Sequence, residues 1–348
     1  MFEIMNYEEI ENNFTKEEYI LIDVRSPGEY DLETIPDAIN LPIFSDKERE
    51  IVGTVYKEDL SETAKKLGIK FVSEKLPMLY EKISQLNKKY ENLVFFCARG
   101  GYRSSSIVSL LDSIGVPTIK LDNGYKGYRN HINEALPIII KNLKLIVLYG
   151  NTGVGKTEIL KHLEDQKMNI LDLEDAANHR GSTLGSVGLG KQTTQKMFES
   201  LIYKALKKRK GNLVFVEGES RRIGKDVIPK YIFNAMKKGI HIKIEASLEY
   251  RVETILKDYV HGTDEELIDS LNHLRKHLGN KKIDFYINSI KKSNYKRVIE
   301  DLMLNYYDPL YEKNTRNFVK TFYNEDHKDT AKDIVHWVNL NLINNALD

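Results

Sequence analysis

The stretch Leu93-Val-Phe-Phe-Cys-Ala-Arg-Gly-Gly-Tyr-Arg-Ser104 decides how the first part of this chain folds. Four apolar residues suit a buried parallel strand, and they run into Cys97, the one cysteine of the chain. Gly100 and Gly101 follow, then Arg103, then a Ser/Ile/Val/Leu pattern from Ser104 to Ile114 that predicts a helix. Strand, tight loop and helix N-terminus bring backbone amides and the positive end of a helix dipole around one sulfur. Such a nest binds anions and favours the thiolate, the reactive form of the thiol. Arg99 and Arg103 add fixed positive charge. A cysteine that merely fills core needs neither a Gly-Gly pair nor two arginines beside it.

Upstream, Tyr19-Ile-Leu-Ile-Asp-Val24 reads as a strand ending in Asp23, and Arg25-Ser-Pro-Gly-Glu-Tyr30 as a turn entering a short helix. Pro27 sits where a missing N–H does no harm. Ile35-Pro-Asp-Ala-Ile-Asn-Leu-Pro42 reads as a tight turn and a second strand. With the cysteine strand this alternation predicts a parallel sheet. Residues 45–90 read as a charged, mostly helical insertion, by composition a surface excursion.

Residues 130–144 carry a proline, two lysines and a new apolar start, the expected domain boundary. Leu145-Ile-Val-Leu-Tyr149 then leads into Gly150-Asn-Thr-Gly-Val-Gly-Lys-Thr157, a complete G-x-x-x-x-G-K-[ST] between a strand and a helix. Gly150, Gly153 and Gly155, with Asn151, Thr152 and Val154 between them, let backbone N–H groups close on phosphates. Lys156 supplies a point charge, and the Thr157 hydroxyl suits Mg²⁺. Leu213-Val-Phe-Val216 is a further strand ending in Glu217, a position from which an acid acts on metal, water or substrate. Glu219, Arg221 and Arg222 follow. His179, Arg180 and Ser182 lie on a glycine-rich segment expected to be a mobile loop near the phosphates; a lone histidine is a poor zinc ligand set. From Ser247 the pattern reads as helical almost to the end, with helices near 247–259, 264–278, 281–292, 294–305 and 328–345, and Trp337 as core.

The 348 residues accommodate two domains with a helical appendage. One cysteine makes no intrachain disulfide, which favours a reducing compartment, and the N-terminus lacks the pattern of a signal peptide; a cytoplasmic protein without membrane segments is expected. The net charge of +1 is uneven: residues 1–50 hold 14 Asp/Glu and 4 Lys/Arg (−10), and the remainder holds 48 Lys/Arg and 37 Asp/Glu (+11). A basic body is compatible with a polyanionic partner. Candidate contacts are Lys207, Lys208, Arg209 and Lys210, and Lys291, Lys292, Lys296 and Arg297, with Tyr295 as a residue to stack on an unpaired base.

Residues 5–132 resemble a rhodanese domain, carried by Asp23-Val-Arg-Ser-Pro-Gly-Glu-Tyr30, Ile35-Pro-Asp-Ala-Ile-Asn-Leu-Pro42, the Cys97 loop and Asp122-Asn-Gly-Tyr-Lys-Gly-Tyr-Arg129. The C-x5-R spacing widens the anion nest toward a tetrahedral, phosphate-like guest. Cysteine-dependent phosphatases share it, so the loop alone leaves chalcogen transfer and phosphate-ester hydrolysis both open. Adding Glu48-Arg49, Val52-Gly-Thr-Val-Tyr-Lys57, Asn178-His-Arg-Gly-Ser182, Gln192-Thr-Thr-Gln-Lys-Met-Phe-Glu199, Glu217-Gly-Glu-Ser-Arg-Arg-Ile-Gly224 and Tyr306-Tyr-Asp-Pro-Leu-Tyr311, nearly the whole chain resembles the tRNA 2-selenouridine synthase family. Thr193 and Gly218 differ from its pattern, which has proline and an acidic residue there.

The resemblance implies an α/β fold: an N-terminal rhodanese-like parallel-sheet domain (1–135), a P-loop NTPase-like α/β domain (136–250) and a C-terminal helical region packed on the latter (251–348). It implies a transferase that replaces sulfur by selenium at the wobble 2-thiouridine of tRNA, with selenophosphate as selenium donor, by way of S-geranylation from geranyl diphosphate. Cys97 would be the nucleophile or chalcogen carrier, with Arg99, Gly100, Gly101 and Arg103 holding the anion. The P-loop with His179, Arg180, Ser182, Glu217, Arg221 and Arg222 would hold the diphosphate, with Mg²⁺ at Thr157. Two other readings stand beside it: a cysteine phosphatase fused to a kinase-like domain, and a P-loop ATPase whose rhodanese half docks a sulfur-relay partner.

Overall fold

The computed structural model describes residues 2–58, 60–260, 262–312 and 316–343, and the chain divides into two compact units, residues 1–136 with 199–201, and 137–198 with 202–348. The first unit holds a five-stranded sheet: β1 (Glu3–Met5), β2 (Tyr19–Asp23), β3 (Ile39–Asn40), β4 (Asn92–Phe96) and β5 (Ile119–Leu121), in the order β1-β5-β4-β2-β3 with every pairing parallel. The central strand β4 buries Leu93, Val94, Phe95 and Phe96 completely, which is why its apolar run is continuous.

Helices Asp46–Lys57, Ser61–Ser73 and Leu76–Asn87 form the segment read as a surface excursion. It is not one: Leu79 and Ile83 are core residues of this unit, and Ala64 is buried. Charged residues covering the outer faces of amphipathic helices hid that inner stripe.

The second unit is built on β6 (Lys144–Tyr149), β7 (Ile170–Leu171), β8 (Leu213–Glu217), a short antiparallel hairpin of β9 (Arg222–Ile223) and β10 (Asp226–Val227), then β11 (Ile240–Glu245) and β12 (Lys320–Tyr323). The main sheet runs β12-β11-β6-β8-β7, all parallel. β6 therefore sits where the strand order reverses, so its C-terminal end opens into the crevice where open α/β sheets bind ligands. β12 falls between the helices expected near 294–305 and 328–345, a strand that the reading of an almost wholly helical end did not foresee. It is an edge strand of four residues in which only Phe322 is buried, too short to display a two-residue period.

Helices Leu248–Tyr259, Asp264–His273, Arg275–Leu278, Asn280–Ile290, Tyr295–Leu302 and His327–Val338 complete this unit. The end of the helix read as 328–345 lies outside the described residues. Trp337 packs on the sheet core, edge-on to Phe322. Among the described residues no helix is long and apolar enough to cross a membrane.

Candidate active site

Cys97 follows β4 directly and is buried, 3% exposed. The helix Tyr102–Ser113 begins five residues later, and its first-turn amides have no carbonyl one turn earlier to bond. Gly100 takes φ +62°, so the loop turns back where a side chain would be strained. A second loop braces the first: Tyr125 N–H donates to the Cys97 carbonyl at 2.8 Å and Lys126 N–H to Ala98 at 3.0 Å. Gly124 makes this approach possible, since a Cβ there would lie 2.1 Å from the Cys97 carbonyl oxygen. Tyr125 in turn is covered by the Arg25 guanidinium at 4.6 Å, itself held by buried Asp23. Thus the rhodanese-like motifs around Asp23 and Asn123 act structurally, by fixing the cysteine loop.

The sulfur lies 3.2 Å from the Ser104 hydroxyl, which is fully buried. Arg103 is tied to Glu29 through both guanidinium nitrogens, one at 3.1 Å, and Arg49 stands 3.7 Å from the same carboxylate. Salt-bridging to these arginines, against the opposing effect of burial, holds Glu29 below the usual carboxylate range. Arg99 is exposed.

In the second unit the loop from Gly150 to Thr157 joins β6 to the helix Lys156–Asp165. Gly153 and Gly155 have φ +82° and +83°. Behind the loop, Asn324 donates to the Val154 carbonyl at 2.8 Å, and the Arg251 Nε donates to Thr152 at 2.9 Å. Arg251 is buried and paired through both nitrogens with Asp308 at 2.9 and 2.6 Å. The apex of the loop is thereby fastened to the helical layer.

Lys156 Nζ reaches the Gly150 carbonyl at 3.1 Å. Three carboxylates, Glu174, Glu217 and Glu219, offer oxygens within 4.8 Å of one another, and Thr157 donates to Glu174 at 3.4 Å. Glu217 is wholly buried at the end of β8, and among the described residues neither of its oxygens has a donor within hydrogen-bond distance, Thr157 being the nearby hydroxyl that favours its charged form. Burial, then the charge of Asp172, pushes it up to about 8. Burial and the neighbouring carboxylates push Glu174 well above its ordinary value, and burial raises Glu219. Burial opposes the charge on Lys156, but Tyr311, Glu217, Glu219 and Glu174 outweigh it and the ammonium is held more firmly than usual. A buried, unpartnered carboxylate among hard oxygen donors fits a divalent cation such as Mg²⁺.

These residues line a polar cavity of about 280 Å³, with Arg180 and His179 on its wall. Burial, then Arg180, keeps His179 below its ordinary value. A second cavity, narrower at about 50 Å³ and almost wholly apolar, shares Thr152, Ser182, Ile255 and Tyr259 with the first. Its remaining wall comes from Leu184, Val260 and the helices between 264 and 307.

Lys156, Thr157, Glu217, His179, Arg180 and Ser182 are therefore brought together around one cavity. Arg221 and Arg222 are not: both are exposed, and neither lines this cavity. They stand at the open end of the β9–β10 hairpin, where Arg222 pairs with Val227 and both side chains reach solvent. The glycine-rich segment is tied rather than loose, with Asn178 donating to Leu189 and Lys191, and Arg180 to Val187. Tyr295 lines the apolar cavity, its hydroxyl donating to Asp264. Glu174, Tyr311 and Ser104 are the participants that sequence reading passed over; Glu174 opens a helix just after a two-residue strand that no periodicity reveals. The departure at Gly218 has a local cause, since a Cβ there would meet the Tyr149 ring at 2.2 Å. The Thr193 hydroxyl donates to the Ala176 carbonyl at 3.0 Å.

A parallel sheet ending in a braced cysteine loop, and a second ending in a P-loop faced by carboxylates, define a rhodanese-like domain fused to a P-loop domain. Comparison agrees: residues 6–131 match the rhodanese-like domain, and residues 143–342 match the tRNA 2-selenouridine synthase AAA domain. The tRNA 2-selenouridine synthase of Pseudomonas fluorescens (strain Pf0-1) is 32% identical over 324 residues, 84% of this chain and 87% of that one. That of Nitrosomonas europaea is 35% identical over 246 residues, 69% of this chain and 63% of that one. A solved N-terminal domain of a putative ATP/GTP binding protein from Clostridium difficile 630 is 44% identical over 35% of this chain and 95% of its own, with TM-score 0.34. The chain belongs to the tRNA 2-selenouridine synthase family, and it is a tRNA-modifying enzyme.

Proposed function

We propose that this enzyme replaces the sulfur of wobble 2-thiouridine by selenium in two steps, S-geranylation from geranyl diphosphate and then displacement by selenium from selenophosphate, in the cytoplasm. The observation that carries the reading is the adjacency of the two cavities: a phosphate cradle and an apolar slot lie side by side, with Thr152, Ser182, Ile255 and Tyr259 lining both. A ligand filling both has an anionic diphosphate head and a hydrocarbon tail.

In the first step the thiouridine sulfur forms a bond to the first carbon of the geranyl group and the diphosphate departs. Lys156 and the loop amides bind the departing diphosphate, and Arg180 lies close enough to share its charge. Thr157, Glu174, Glu217 and Glu219 would hold Mg²⁺, which supplies charge neutralisation for the diphosphate when bound. In the second step selenium bonds to C2 of the base, geranyl thiol leaves, and the phosphoryl group passes to water. Cys97 serves as the nucleophile that frees the selenium: its sulfur bonds to phosphorus as the phosphorus–selenium bond breaks, selenide goes on to C2, and water then releases phosphate from the cysteine, with the anion of selenophosphate in the nest of first-turn amides. Arg103 stays oriented by Glu29 until an anion competes for it.

Nucleoside mass spectrometry separates the steps. With tRNA, geranyl diphosphate and selenophosphate, Cys97→Ala should accumulate S-geranyl-2-thiouridine and form no 2-selenouridine. Lys156→Ala should leave 2-thiouridine unchanged yet selenate tRNA that is already geranylated. Geranylation by Lys156→Ala at the parent rate, or normal 2-selenouridine from Cys97→Ala, refutes the assignment.

A further inference from the structure

We propose that the helical layer of residues 264–302 is the subsite for the prenyl tail, and that Tyr295 closes its far end and so sets tail length. The inference rests on the diphosphate reading above and goes beyond it, from the head of the ligand to its tail.

The four residues common to both cavities, Thr152, Ser182, Ile255 and Tyr259, stand between them, and a head-to-tail ligand would pass there. Beyond that point the wall includes Leu267 and Leu271 from one helix, Ile290 from the next, and Val298, Ile299 and Leu302 from a third, with Tyr307 as a residue whose hydroxyl is buried. No charged side chain is among them. Apart from the Tyr307 hydroxyl, such a wall would leave most polar groups of a nucleotide base or ribose without partners, whereas a hydrocarbon chain loses nothing there. Tyr295 also lies beyond that point, on the first turn of its helix. Its hydroxyl donates to Asp264, the first residue of the opposite helix, at 2.9 and 3.1 Å to the two oxygens. The bond therefore ties two helix starts together across the layer. The cavity is too narrow at about 50 Å³ to take a ten-carbon chain without displacement of its walls. Ile299 and Leu184 are among the wall residues that are only half-buried, so they are less tightly enclosed than the buried leucines beside them.

Equilibrium binding of four probes to the full-length enzyme with Mg²⁺ tests this: inorganic pyrophosphate, dimethylallyl diphosphate, geranyl diphosphate and farnesyl diphosphate. Geranyl diphosphate should bind at least tenfold more tightly than pyrophosphate, and farnesyl diphosphate less tightly than geranyl. Ile299→Trp, or Leu184→Trp should the first not fold, should bring the geranyl-to-pyrophosphate ratio close to one. Tyr295→Ala should raise farnesyl relative to geranyl at least tenfold. If pyrophosphate binds well but geranyl diphosphate binds no better, or if the tryptophan variants keep the parent ratio, the tail subsite is wrong while the cradle stands. An unchanged farnesyl-to-geranyl ratio in Tyr295→Ala overturns the end-stop. Failure of every probe to bind instead removes the diphosphate reading beneath it.

Discussion

Glu217→Gln gives a sharp test of the carboxylate cluster. Glu217 is fully buried, and burial with nearby Asp172 lifts it to about 8. An unfolded glutamate titrates near 4.3. Between these values the folded protein binds more protons than the unfolded one, so stability falls as pH rises through that window. The penalty is absent below pH about 4 and complete above about 8; at roughly 1.4 kcal/mol per unit traversed it reaches on the order of 3 kcal/mol by pH 7. Glutamine keeps the shape and never ionises. In EDTA, then, parent and variant should melt close together at pH 5, and by pH 7.5 the variant should melt higher by on the order of 10 °C, given about 2–4 °C per kcal/mol for a unit of this size. Thermal unfolding followed by circular dichroism across this range reads the gap directly. Mg²⁺ should then stabilise the parent, more so at higher pH, and leave the variant unmoved. A gap that does not change with pH, or a parent that melts higher than the variant at pH 7.5 in EDTA, refutes the account of Glu217 as a carboxyl kept neutral by burial.

The remaining expectations concern the two loops and the partner. Ser104→Ala, which removes the hydroxyl 3.2 Å from the Cys97 sulfur, should slow 2-selenouridine formation roughly tenfold without lowering the melting temperature or geranylation, measured by nucleoside mass spectrometry. Arg251→Ala strands Asp308 and frees the Thr152 carbonyl, so it should cost about 3 kcal/mol in denaturant unfolding and weaken pyrophosphate binding; an unaltered pyrophosphate affinity would mean the tether does not shape the cradle. Reversing the charges of Lys207, Lys208 and Lys210, or separately of Lys291, Lys292, Lys296 and Arg297, should reduce both tRNA affinity and its salt dependence for whichever cluster contacts phosphates. Parent-like binding by both variants would place the tRNA elsewhere.

Much of this protein is written in short local patterns. The strands β4 and β6 were legible because complete burial demands uninterrupted apolar runs. The cysteine loop and the P-loop were legible because a chain that must bend tightly around an anion needs glycine at defined positions, Gly100, Gly153 and Gly155 among them. Those requirements are local, so they leave local marks. The short strands β7 and β12 left none, because two or four residues at a sheet edge take their conformation from the neighbour they pair with.

The chemistry around the loops was decided only by tertiary structure. Glu174 approaches Glu217 because β7 and β8 are adjacent strands, although β7 precedes β8 by some forty residues of chain. Arg103 turned out to be held by Glu29, and Arg221 with Arg222 turned out to face away from the cavity, since the direction of a long side chain depends on what packs against it. The apolar slot is the clearest case. Its leucines and isoleucines are indistinguishable in sequence from the core residues beside them. A wall and a core differ only in whether the facing helices meet, and that is a property of the packed whole.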